Sequence, residues 1–213
     1  MTADQAAQNS LDQTEQAQLL NGIAWVKQSL TKQLATESGI SPVSLIRQMH
    51  RQLDLLSEHA QCAGNFACKS QCSSCCHKEK HLSLIELNYI TEQLLQHYPE
   101  KIQAWRKKID LTLASKETRC PFLSPQQNCE IYSLRPAVCR KAHSYSASAC
   151  LSNQQSIPQH LGLLMQAEAL ILGTQLAIQA SQEADNPTME FISGIQSRLS
   201  ANRDIPQAAA NQT

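Results

Sequence analysis

Nine cysteines dominate the chemistry that this 213-residue sequence could perform. All of them lie between positions 62 and 150, and the apolar stripes of the flanking segments contain none. Four fall close together in the pattern Cys68-x3-Cys72-x2-Cys75-Cys76. Gaps of two or three residues let a loop turn several sulfurs towards one point, as a tetrahedral zinc ion or an iron–sulfur cluster requires. We therefore interpret the loop as metal-ligating, with inert or redox-active thiols as the alternative.

A second group of cysteines follows at wider spacing between positions 119 and 150. Arg135-Pro136 predicts the start of a short helix that carries Cys139 in its first turn. The helix N-terminus and the neighbouring cations Arg135, Arg140 and Lys141 should favour the thiolate form of Cys139, although a solvated basic loop is the alternative. The two groups together give the candidate metal ligands Cys68, Cys72, Cys75, Cys76, Cys120, Cys129, Cys139 and Cys150.

Histidine nitrogens could complete such a site. His77 follows the adjacent pair of cysteines, His81 lies four residues further on, and His143 lies four residues after Cys139. The thiols already outnumber the ligands that one metal ion needs, so each histidine is expected to be a surface residue. Whether these histidines or Cys62 also ligate is left open by the sequence.

The same cysteines carry a family resemblance between about residues 65 and 150. The ordered set Cys72-Ser-Ser-Cys75-Cys76, Cys120-Pro-Phe-Leu, Cys129-Glu-Ile-Tyr and Arg135-Pro-Ala-Val-Cys139-Arg140 resembles the CxxCxxCC family of zinc- or iron-chelating domains. The resemblance implies a metal-binding domain whose cofactor is zinc or iron, with a [4Fe–4S] cluster as one form of iron. Flagellin lysine methylases carry a similar domain. The chain departs from the family pattern at the first gap, because three residues rather than two separate Cys68 from Cys72.

This departure creates a second match that the rest of the chain does not support. Cys68-x3-Cys72-x2-Cys75 is also the spacing with which radical S-adenosylmethionine enzymes hold a [4Fe–4S] cluster. Those enzymes resemble partial β/α barrels with an aromatic residue before the third cysteine, whereas Ser74 stands there in this sequence. No alternation of strands and helices follows.

The segments around the cysteines have helical periodicity, so the predicted fold is mainly α, with helices surrounding an irregular cysteine-rich centre. We predict a helical hairpin over 11–60, whose second helix starts at Ser41-Pro42. A Ser83-x-x-Glu86 capping box starts the next helix, and Ile102, Trp105, Ile109 and Leu113 should face inward from the one after it. C-terminal helices follow over 151–199, the cysteine-cluster domain spans 62–150, and residues 1–10 and 200–213 should be flexible tails. Trp25, Trp105, Phe122 and Tyr132 are expected in the core.

Composition restricts the partners. Lysine plus arginine and aspartate plus glutamate both number 18, and this zero net charge argues against a nucleic-acid binder. No secretory signal is recognisable, and Glu168 within the apolar stretch Leu161–Ala180 argues against a membrane span, so we expect a cytoplasmic protein. A metal ion is the predicted partner. The alternatives left open are a protein-modifying enzyme of the methyltransferase type that uses an iron–sulfur centre, and a helical adaptor that binds a protein or self-associates through its terminal helices.

Overall fold

A computed structural model describes residues 11–36, 40–63, 66–68, 71–115, 119–152, 157–181 and 186–201. Within these ranges the chain is mainly helical, as predicted, and contains one pair of short strands. The strands are β1 (His81–Ser83) and β2 (Thr188–Glu190), and 3-10 turns lie at Ser74–His77, Pro99–Lys101 and Tyr132–Leu134. The helices are α1 (Gln13–Thr36), α2 (Pro42–Ala63), α3 (Leu84–His97), α4 (Ile102–Ser115), α5 (Ala137–Arg140), α6 (Ala147–Leu151), α7 (Leu161–Ser181) and α8 (Phe191–Ala201).

Local capping explains where the two helices flanking the first cysteine loop begin. The hydroxyl of Ser41 accepts a hydrogen bond from the amide of Ser44 at 3.2 Å, and Pro42 occupies the first helical position of α2. The hydroxyl of Ser83 accepts one from the amide of Glu86 at 3.3 Å, which caps α3. Both starts confirm the sequence prediction, because a side-chain acceptor satisfies an amide that has no partner within the helix.

Helix α7 is the element against which both N-terminal helices pack. Eight of its residues are buried, and α1 runs along it more extensively than α2 does. A Cβ added at Gly173 of α7 would lie 2.6 Å from the Cβ of Val26 in α1, so glycine permits this close approach. Both helices of the segment 11–60 therefore pack on α7, and their arrangement as a hairpin stays a prediction. By length and mean hydropathy α7 is also the helix, among those described, that could cross a membrane.

A row of aromatic rings lies in the core. Trp105 of α4 contacts Phe122 edge-on at 5.5 Å between ring centres, and Phe122 lies 5.7 Å from Phe191 of α8. These side chains are buried, as expected for Trp105 and Phe122. The expectation was wrong for Trp25, Tyr132 and Leu113, which are exposed because the described elements leave much of these side chains uncovered. The guanidinium group of Arg135 lies over one face of the Tyr132 ring.

The strand pair was not predicted, since each strand has only three residues. Leu82 of β1 pairs with Met189 of β2 in an antiparallel register. This pairing joins the end of the first cysteine loop to the start of α8, and the amide of Phe191 donates to the carbonyl of Lys80 at 2.8 Å. The predicted tails lie outside the described residues, except that Ser200 and Ala201 belong to α8. The apolar periodicity of the first helix predicts that it ends at Gly39, which also lies outside them.

Candidate metal centre

Backbone hydrogen bonds bring the two distant cysteine stretches together. The amide of Cys120 donates to the carbonyl of Cys76 at 2.8 Å, and the amide of Ala67 donates to the carbonyl of Ser144 at 2.8 Å. A side-chain bond adds to them, since the Ser73 hydroxyl donates to the Gln127 amide oxygen at 2.8 Å. The loop that carries Cys68–Cys76 therefore lies against the segment 119–150, as a shared site requires.

A short hairpin positions Cys120 and Cys129. The amide of Glu130 donates to the carbonyl of Phe122 at 2.8 Å, and Leu123 forms a bridge with Cys129. Each of these sulfurs accepts a hydrogen bond from the backbone amide two residues later, that of Phe122 for Cys120 and that of Ile131 for Cys129. Such donors favour the thiolate, which is the form that binds a metal.

Four thiols from the two stretches lie close enough to influence one another's ionisation. Burial raises the pKa of Cys139, and the nearby thiols of Cys75, Cys120 and Cys129 raise it further. Burial also raises the pKa of Cys120 to about 11, and Cys129 and Cys75 add to the effect. For Cys75 the hydrogen bond with Cys76 is the main cause of a raised pKa. We call Cys75, Cys120, Cys129 and Cys139 the first thiol group. These four thiols cannot all ionise without a cation to compensate their negative charge.

Cys68, Cys72 and Cys150 form a second thiol group beside the first. Burial raises the pKa of Cys68, a hydrogen bond from the Ser144 amide opposes this effect, and the thiols of Cys72, Cys75 and Cys150 raise the pKa further. Helix α6, which carries Cys150, packs against the 3-10 turn Ser74–His77. Cys75 thus faces both groups, and its neighbour Cys76 is hydrogen-bonded to it. The side chain of Cys62 lies outside the described part of the chain.

The donor set suits zinc or iron, although the sulfurs are not in a ligating arrangement. In the described ranges no three His, Cys, Asp or Glu side chains are gathered closely enough to hold an ion as they stand. The eight described cysteines are free thiols, and both metals bind sulfur well. A cation bound by either group of thiols would compensate the negative charge of its thiolates. The residues therefore fit a thiolate-bound metal, provided that the sulfurs draw together.

The cations predicted beside Cys139 are largely paired elsewhere. Arg135 binds Asp54 at 2.8 Å and lies over the ring of Tyr132, and Arg140 also binds Asp54. Lys141 pairs with Glu168 of α7. Of these cations Arg135 still lowers the pKa of Cys129, but burial outweighs the expected preference of Cys139 for the thiolate.

A buried cation beside the first thiol group, Lys80, was missed by sequence reasoning. Its side chain is buried, and its ammonium group donates to the carbonyls of Cys75 at 2.7 Å and Lys78 at 2.6 Å. Its charge lowers the pKa of Cys75, Cys120 and Cys139. Lys80, Cys76 and Cys120 also line a cleft of about 540 Å³ on this side of the cluster. The sequence around Lys80 is rich in charged residues and gave no sign that this one is buried.

A buried carboxylate supports the helix that carries Cys139. Glu86, which is 1% exposed, accepts a hydrogen bond from the Ala137 amide at 2.7 Å and contacts Nε2 of His50 at 2.7 Å. The capping box is thus only half formed, because the Glu86 side chain does not return to Ser83. Instead it holds the first residue of α5, two positions before Cys139.

The histidines take different positions around the cluster. His77 and His81 are exposed, and His81 lies 3.8 Å from Glu79. His143 is buried, contrary to expectation, and uses both ring nitrogens: Nε2 accepts from the His160 amide at 2.9 Å, and Nδ1 then donates to the Lys141 carbonyl at 2.9 Å. Protein groups therefore already satisfy both nitrogens of His143.

Comparison with known families confirms the resemblance. Residues 67–159 match the CxxCxxCC family model, whose description is "Putative zinc- or iron-chelating domain". The match covers the loop, the hairpin, α5 and α6, and it supports metal binding by this part of the chain. No curated protein and no solved structure matches the chain.

Proposed function

We propose that this protein chelates zinc or iron through cysteine thiolates supplied by two distant stretches of the chain. The observation that carries the proposal is the proximity of Cys75, Cys120, Cys129 and Cys139: the thiol of Cys75 raises the pKa of the other three, and that of Cys129 raises the pKa of Cys120 and Cys139. Thiols crowded in this way favour a bound cation, because ligation removes the protons and offsets the repulsion between thiolates.

The ligands divide into two neighbouring sets of four. Cys120, Cys129 and Cys139 with one of the adjacent pair Cys75 and Cys76 make the first set. Cys68, Cys72 and Cys150 with the other member of the pair make the second. The division is supported by the electrostatic neighbours of Cys139 and Cys68, which differ except for Cys75. Four thiolates suit a tetrahedral zinc or iron ion, and the same number binds a [4Fe–4S] cluster.

The test is the metal content of the full-length chain purified without oxygen from cells supplied with zinc and iron. We expect about two metal equivalents per chain if both sets hold single ions, and visible absorption with acid-labile sulfide if one set holds a cluster. A colourless protein containing only zinc would exclude the cluster.

Substitutions then assign the sets. Cys139→Ser should remove the metal of the first set and leave that of the second, while Cys150→Ser should do the reverse. Cys62→Ser is the matched control, since the proposal does not use this ninth cysteine. A chain that purifies folded but without zinc or iron, and binds neither when it is added, would overturn the proposal.

A further inference from the structure

We infer that the ammonium group of Lys80 is the internal counter-cation of the first thiol group, and that the filled centre there has an all-thiolate, negatively charged ligand set. This inference rests on the proposed function and adds a residue outside the cysteine motif. Lys80 is a positioning residue, because it acts on the metal through the thiolates.

The argument begins with the burial of Lys80. Its side chain is 8% exposed, whereas that of its neighbour Lys78 is exposed. Lysine is almost never buried unless it is paired, because removing an ammonium group from water is unfavourable. A buried lysine therefore calls for an anion close by.

In the part of the chain that the structure describes, no carboxylate forms an ion pair with Lys80, although Glu79 and Glu190 line the same cleft. Glu79 lies near His81, and Glu190 accepts from the amides of Ile192 and Ser193 at the start of α8. The ammonium group of Lys80 donates to two carbonyls. An ammonium group has three donors, so one remains after these two bonds.

Thiols lie beside Lys80. It lines the same cleft as Cys76 and Cys120, which charged residues such as Glu79, Glu190 and Arg119 also line, and its bond to the Cys75 carbonyl holds it against the adjacent pair of cysteines. Four thiolates on a divalent ion leave about two negative charges, which one buried ammonium group partly neutralises. A set of two thiolates and two neutral histidines would be uncharged and would leave Lys80 without an anion.

The experiment compares zinc binding by Lys80→Met, which removes the charge, with binding by Lys80→Arg, which keeps it. Lys78→Met is the matched control, since an exposed charge two residues away is screened by water and salt. Zinc affinity is measured on the full-length chain by competition with a chromophoric chelator. Cobalt substituted for zinc reports the number of thiolate ligands through its charge-transfer absorption.

We expect Lys80→Met to raise the dissociation constant of the first zinc site about 10- to 100-fold, the usual effect of losing a group that supports metal ligands. Lys80→Arg and Lys78→Met should remain within about threefold of the wild type. The cobalt absorption of saturated Lys80→Met should equal that of the wild type, because the ligands are unchanged. Lys80→Gln replaces Lys80→Met if the latter loses its helical circular dichroism.

Four results would overturn the inference. Unchanged affinity in Lys80→Met would show that the charge is not needed. An equal loss in Lys80→Arg, or a changed cobalt spectrum, would show that Lys80 only shapes the loop through its two carbonyl bonds. If the wild type binds neither zinc nor cobalt, the inference fails together with its zinc site. The proposed function fails as well only if the wild type does not bind iron either, which distinguishes the two failures.

Discussion

Replacement of Glu86 by alanine tests whether a buried carboxylate holds the Cys139 helix in place. The side chain is 1% exposed and lies between His50 of α2 and the first amide of α5. Alanine would remove the acceptor from both donors at once. The Ala137 amide and the His50 ring nitrogen would then be buried without a partner.

The expected loss of stability follows from these two contacts. Hydrogen bonds to a charged group contribute about 1.5–3 kcal/mol each, so the variant should lose about 3–6 kcal/mol of unfolding free energy. A domain of ordinary stability has about 5–15 kcal/mol in total. Glu86→Ala should therefore be partly unfolded at elevated temperature, and Glu86→Gln should lose less because its amide oxygen still accepts from Ala137.

Urea unfolding of the metal-free chain, followed by circular dichroism, measures the difference. Glu92→Ala is the matched control, because Glu92 is on the same helix and exposed. It should change stability by no more than about 0.5 kcal/mol. A loss below about 1 kcal/mol in Glu86→Ala would refute the reasoning, since it would mean that neither donor depends on the carboxylate.

Three further outcomes follow from the same structure. Gly173→Ala should destabilise the chain by about 1–3 kcal/mol in thermal unfolding, because its Cβ would lie 2.6 Å from Val26. Gly22→Ala, whose Cβ would lie 3.1 Å from a Cβ of α7, should lower the stability less. Equal losses of stability in the two variants would contradict this packing. Zinc added at pH 7 in weak buffer should release protons, because the pKa of Cys120 is raised to about 11 and the thiol must lose its proton to bind; a titration without acidification would contradict thiolate ligation. Removal of the metal with an added chelator should leave the helical circular dichroism nearly unchanged and should increase protease cleavage within 119–150. If the helical signal is lost at the same time as the cleavage increases, the helices depend on the metal.

Sequence reasoning was sufficient where a feature depends on neighbours along the chain. The starts of α2 and α3 follow from Ser41-Pro42 and Ser83, since capping involves residues only three positions apart. The mainly helical fold follows from apolar periodicity in the same way. The Cys139 turn was predicted from Arg135-Pro136, and α5 does begin at Ala137.

Features that depend on distant contacts could not be predicted from one sequence. Glu86 satisfies the capping-box pattern, but its carboxylate reaches Ala137, which is 51 residues away. Arg140 is near Cys139 in sequence, yet it binds Asp54 of α2. Lys80 is one of several charged residues in its segment, and only the three-dimensional arrangement distinguishes it from exposed Lys78. Periodicity likewise did not predict that the side chain of Trp25 in α1 would be exposed.

The helices and the cysteine loops are held together by different kinds of contact. The large buried side chains belong mainly to α2, α3, α4, α7 and α8, with Phe122 of the hairpin among them, and they pack against one another. The loops instead are joined by a few backbone bonds, those of Cys120 to Cys76 and of Ala67 to Ser144. These bonds already bring the two stretches together, so a metal ion does not bear the whole entropic cost of closing the loop between them. Chelation is therefore expected to tighten a partly organised site, unlike a zinc finger, in which metal binding and folding are one event.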